Sequence, residues 1–66
     1  MVPNFQIGDS VIVYRKGNVS YGTVANIREL ESGTLVTVKY CSENDSFYRC
    51  YYLHETVIEK DHEVFA

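Results

Sequence analysis

Four side chains able to ligate a metal or carry a nucleophilic step lie in the second half of the chain: Cys41, Cys50, His54 and His62. Structural zinc draws its tetrahedral N/S ligands from compact pairs, typically about two to four residues apart. Here eight, three and seven residues intervene, so the spacing does not predict a metal centre. Cys50 and His54 have the types of a thiolate nucleophile and its base. No third residue is placed to orient the imidazole, and a 66-residue chain has little wall with which to exclude water. The four glycines are dispersed, so no glycine-rich loop cradles a phosphate. The expectation is a non-enzymatic protein with no catalytic residue, no metal and no cofactor.

Recognition chemistry is better represented. Six tyrosines and three phenylalanines occur without a tryptophan. Tyrosine gives a partner a rigid apolar body and a polar tip, and the same shape fills the core and covers the open ends of a small domain. Tyr14, Tyr21, Tyr40, Tyr48 and Tyr52 are the candidate aromatic contacts, with Arg15, Lys16 and Arg49 at their rim. In the run Phe47-Tyr48-Arg49-Cys50-Tyr51-Tyr52, strand alternation sets Tyr48 and Tyr52 beside Cys50 and opposite Phe47 and Tyr51. Both faces cannot be core in one small domain, so part of the aromatic surface is expected to meet a partner.

Charge limits who that partner is. Nine acidic and six basic residues give a formal net charge of −3, the wrong overall sign for a protein held to phosphates mainly by charge. Of the cations only Arg15 and Lys16 are adjacent. A protein partner is therefore expected first, and nucleic acid second, through that basic pair. The N-terminal residues have neither a positive start nor an apolar stretch of signal-peptide length, and nothing later is long enough to span a membrane. The expected compartment is the cytoplasm, where Cys41 and Cys50 would be free thiols. They flank one hairpin, so a cross-strand disulfide is conceivable if their Cα atoms come within about 6 Å.

The elements that must position these residues are strands. Ser10 to Tyr14 alternates, with Val11 and Val13 on one face and Ile12 and Tyr14 on the other. Arg15-Lys16-Gly17-Asn18 reads as a turn, because Gly17 and Asn18 tolerate positive φ. A second strand runs from about Ser20 to Arg28, and Gly22 inside it marks a bulge or a close backbone approach. Glu29 to Thr34 is a polar turn. Leu35 to Cys41 follows, with Val36, Val38 and Tyr40 on one face. Ser42 to Ser46 is an exposed loop, Phe47 to Tyr52 a fourth strand, Leu53 to Thr56 a single 3₁₀ turn, and Val57 to Glu59 a last strand whose free edge is suited to pairing with another chain. Apolar content of 45% and charged content of 23% are those of an ordinary folded domain. Residues 1–59 are assigned to the domain and 60–66 to a charged, frayed tail whose Val64 and Phe65 can dock.

Gly8-Asp9-x-Val11, Tyr21-Gly22-Thr23-Val24-x-x-Ile27, Val36-x-Val38-x-Tyr40 and the closing Leu53 with Val57-Ile58 resemble the SH3-like barrel of Tudor, chromo-barrel and KOW-type domains. The resemblance covers about residues 5 to 59. It implies an all-β, five-stranded, partly open barrel with one 3₁₀ turn before the last strand. A Tudor-type cage for methylated lysine or arginine maps onto Tyr14, Tyr21, Tyr40 and Phe47 or Tyr48, with Asp45 as a carboxylate; π faces attract a desolvated cation by up to about 2 kcal/mol. The KOW likeness implies an RNA or nucleoprotein contact through the first hairpin, with Arg15 and Lys16 on a phosphate and Tyr14 or Tyr21 stacking a base. Stand-alone barrels of this size and acidic balance also resemble small accessory proteins, including phage- and prophage-encoded ones, that bind a host factor.

Overall fold

Alternating valines and tight polar turns give the chain five antiparallel strands. The computed structural model describes residues 5–61: β1 (Ser10–Arg15), β2 (Asn18–Leu30), β3 (Gly33–Cys41), β4 (Ser46–Tyr52) and β5 (Val57–Lys60). They form one sheet in the order β4-β3-β2-β1-β5. The sheet is not closed, since β4 and β5 remain its edges. The described residues contain no helix, and none of their elements is a helix long and apolar enough to cross a membrane.

The first reversal is tighter than the sequence suggests. Arg15 pairs with Asn18, so only Lys16 and Gly17 make the turn, and both have positive φ, 45° and 81°. Such a two-residue loop matches the right-handed twist of the flanking strands. The thirteen-residue β2 serves two neighbours. Its first half pairs β1 from Asn18 to Thr23, and its second half pairs β3 from Thr23 to Leu30.

Gly22 is the close approach that its place in a strand predicts, but it is not the bulge. An added Cβ there would lie 2.5 Å from Val38 Cγ1 and 2.9 Å from the Lys39 carbonyl oxygen. The register instead slips between Val24 and Asn26, at Ala25. One extra residue at that point bends β2 and restores its apolar side chain, now Ile27, to the inner face opposite Val36.

Burial is one-sided. Val11, Val13, Val24, Val36, Val38, Tyr40 and Tyr51 are buried together with Phe5, and Ile27, Leu53 and Ile58 pack against them. Phe5 enters from a short N-terminal turn in which the Gln6 N–H donates to Asp9 Oδ2, the Asp9 N–H donates to the Gln6 carbonyl, and the Gly8 N–H donates to the Val24 carbonyl. That turn places a phenyl ring over the end of a core otherwise built largely from valines.

The end of the chain differs in detail from the sequence reading. The Tyr52 carbonyl accepts hydrogen bonds from both Glu55 and Thr56 N–H, at 3.0 and 3.1 Å, so residues 52–56 form a mixed turn and no 3₁₀ helix is found among the described residues. The last strand runs through Lys60, and the Asp61 N–H donates to the Ser10 carbonyl at 2.9 Å, so the ordered sheet reaches beyond residue 59. The supposed tail contacts at Val64 and Phe65, like His62 and the first four residues, lie outside the described residues.

Candidate functional site

Strand register divides the aromatic and basic candidates between two faces. Ile12 opposes Tyr21, and Tyr14 opposes both Val19 and Val57. All lie on the face away from the valine core. Tyr48 opposes Lys39, Cys50 opposes Thr37 and Tyr52 opposes Leu35, which puts Tyr48 and Tyr52 on that same outer face, as alternation requires. Tyr21, Tyr48 and Val57 are 65%, 60% and 58% exposed, and Tyr14 and Val19 are also exposed.

Local contacts fix some of these rings. The Tyr14 hydroxyl donates to Glu59 Oε2 at 3.2 Å. Lost hydration and then this carboxylate hold its pKa above the ordinary phenol value. Tyr52 is half-buried, its hydroxyl 2.8 Å from Ser32 Oγ and its ring 5.3 Å from the His54 imidazole. Beside Tyr21 the outer face has a hollow of about 270 Å³ bordered by Ser10, Thr23, Lys39 and Cys41. That volume falls just below the usual range for a small-molecule site.

Tyr40 belongs to the opposite face. It is 8% exposed, and its hydroxyl lies 2.9 Å from that of Tyr51, also buried. Phe47 stacks 5.4 Å from it. Tyr40 therefore cannot share a cage with Tyr14, Tyr21 and Tyr48, because the sheet lies between them. Asp45 is engaged within its own loop, where its carbonyl accepts from Ser42 and its carboxylate from the Ser46 N–H.

The basic pair is also split. Arg15 sits at inner-face register, with its guanidinium carbon 5.6 Å from the Tyr51 ring centroid, whereas Lys16 occupies the turn. A phosphate on Arg15 and a base on Tyr14 would have to lie on opposite sides of β1. Arg49, opposite Val38, is on the inner face too, 5.4 Å from the Phe47 centroid. Sequence reasoning overlooked Tyr51 as a platform for Arg15, although its shared parity with Phe47 and Arg49 was available as a signal. It also overlooked Val19, and took Val57 only as part of an edge strand, because single exposed valines look ordinary until register sets them around Tyr14.

The cysteines do not converge. Cys41 opposes Ser46, and Cys50 opposes Thr37, bonding to its hydroxyl at 3.3 Å. Four residues of strand rise separate their Cα atoms by about 13 Å, too far for a disulfide. Both thiols are free and exposed. Both should be alkylated in the native protein, and mild oxidation should produce no internal bridge; peptide mapping by mass spectrometry reads both results. Among the described residues no cluster of His, Cys, Asp and Glu could hold a metal ion. Comparison with protein-family models, with curated proteins and with solved structures finds no match.

Proposed function

We propose that this chain is a non-enzymatic binding module that docks a protein partner on the outer face of its sheet. The observation that carries the reading is the one-sided core. The five fully buried valines lie on one face, while the other presents Tyr14, Val19, Tyr21, Tyr48 and Val57 to solvent beside that hollow. Interface cores are enriched in tyrosine, and this face presents Tyr14, Tyr21 and Tyr48. Lys39 lies between Tyr48 and Thr23, Tyr52 borders the patch, and the free edge of β5 adjoins it. We read the architecture as an SH3-like, partly open barrel. Its supports are the five-strand meander, the return of β5 to β1 and the bend at Ala25. We propose a cytoplasmic accessory role alongside it.

The test is binding measured against variants that leave the core intact. A partner captured by the wild-type domain is expected to bind Tyr21→Ser and Tyr48→Ser each about 2 kcal/mol more weakly if these are central contacts, with thermal melting unchanged because both rings are exposed. Retention of full affinity by the double variant would remove the outer face from consideration. Capture abolished by ribonuclease, and by Arg15→Ala with Lys16→Ala, would instead favour the alternative, an RNA or nucleoprotein contact through the first hairpin.

A further inference from the structure

The inner face ends in an arrangement the outer-face reading does not use. Phe47, Tyr40 and Tyr51 form a shelf of three rings from β3 and β4, linked by the Phe47–Tyr40 stack and the Tyr40–Tyr51 hydroxyl pair. Arg49 lies over its Phe47 end and Arg15 over its Tyr51 end. A ring attracts the charge of a guanidinium and takes up none of its N–H donors in conventional hydrogen bonds. It restrains the side chain and leaves the N–H donors at the edge of the plane unspent. Among the described residues neither arginine donates a side-chain hydrogen bond or has a carboxylate within 4.0 Å, although the chain carries three more acids than bases.

A second observation points the same way. Two phenols hold two protons, and the single bond between Tyr40 and Tyr51 uses one of them. The other O–H belongs to a residue more than nine-tenths buried and has no acceptor among the described residues. Both arginines are near enough to Tyr40 to oppose, in part, the rise in its pKa that burial and Tyr51 impose. Two cations with no carboxylate partner, and one phenol O–H with no acceptor, among the described residues thus border one shelf of rings.

We propose that this shelf is a binding site for a single carboxylate group, supplied by an acidic side chain or a chain terminus of a peptide, with Arg15 and Arg49 as its charged donors and the spare tyrosine O–H as its neutral one. A planar carboxylate matches the guanidinium fork. A polyanion is disfavoured, because nucleic acid affinity scales with the number of phosphates neutralised and the molecule offers two cations here on a net negative background. The site does not depend on the outer face being the docking surface.

Titration of the full chain by NMR tests it, with a blocked peptide bearing one glutamate as the probe and its glutamine counterpart as the control. Saturable shifts are expected at the Arg15 and Arg49 side-chain N–H signals and at the Tyr40 and Tyr51 rings. Arg15→Gln and Arg49→Gln should each weaken binding about tenfold, and Arg49→Lys should restore little of it, since an ammonium lacks the fork. Equal shifts with the glutamine peptide, loss on only one of the two arginine substitutions, or tighter binding of inorganic phosphate or a short RNA oligonucleotide would each overturn the proposal. Both arginines are exposed, so unchanged amide spectra of the variants separate lost binding from lost folding.

Discussion

Gly22→Ala is expected to destabilise the domain by about 1–3 kcal/mol, the usual cost of forcing extra volume into a packed core. A domain of this size has a total stability of only about 3–10 kcal/mol, and each kcal/mol lowers Tm by roughly 4–8 °C. Two effects oppose each other at this position. Alanine relieves glycine's larger entropy loss, worth about 0.5–1 kcal/mol. The added methyl, however, would sit 2.5 Å from Val38 Cγ1 and 2.9 Å from the Lys39 carbonyl oxygen. A valine methyl can turn aside, but a carbonyl within the β2–β3 ladder moves only by straining the sheet, so the overlap wins. Val38→Ala alone should cost about 2–3 kcal/mol through lost burial and the cavity left at a fully buried site. The double variant should cost less than the sum, because the new methyl enters the space that Val38 Cγ1 vacates. Urea denaturation of all four proteins measures that coupling. Strict additivity would mean that β2 and β3 separate at Gly22 without engaging Val38.

Much of this packing is legible in the residues. Alternation alone puts Val11 with Val13 on one face of β1, and Val36, Val38 and Tyr40 on one face of β3, since a strand with one buried face must repeat every second residue. All five are buried. Gly22 likewise announces a close approach. The bulge was hidden because Ala25 fits either register; only the need to keep both Val24 and Ile27 inward reveals the extra residue. Closure was hidden for a different reason. Whether β4 and β5 meet depends on accumulated twist and bend, which no local residue encodes. The candidate contacts were legible as types and illegible as a set. Tyr14, Tyr21, Tyr48 and Tyr52 share the outer face, whereas Tyr40, Arg15 and Arg49 turned out to belong to the inner one. Strand parity within β4 was computable, but parity between strands depends on a register that the two-residue turn at Lys16-Gly17 and the slip at Ala25 establish. An aromatic count cannot distinguish a cage from two separate surfaces.

The buried phenol pair should make the domain sensitive to alkali. Desolvation first, and the hydrogen bond to Tyr51 second, raise the pKa of Tyr40 well above its ordinary value of 10.0. Below pH 10 both the folded and the unfolded chain keep this phenol protonated, and the pair is fully stabilising. Above pH 10 the unfolded chain releases the proton while the folded one retains it. Stability therefore falls with rising pH by up to about 1.4 kcal/mol per unit, until the folded-state pKa is reached. Water reaching the rim of the shelf reduces that slope, as do Arg15 and Arg49, whose charges favour the phenolate. Tyr40→Phe should flatten the alkaline limb while lowering stability at neutral pH by about 1 kcal/mol, through loss of the Tyr51 partner. Tyr14→Phe should leave most of the limb in place, since that exposed hydroxyl bonds only to Glu59 at the surface. The comparison needs chemical denaturation at several pH values, with tyrosinate absorbance followed in parallel. Ionisation of one tyrosine should coincide with unfolding rather than precede it. If all the tyrosines ionise while the sheet is still intact, the phenol pair is open to water, and the neutral donor invoked for carboxylate binding fails with it.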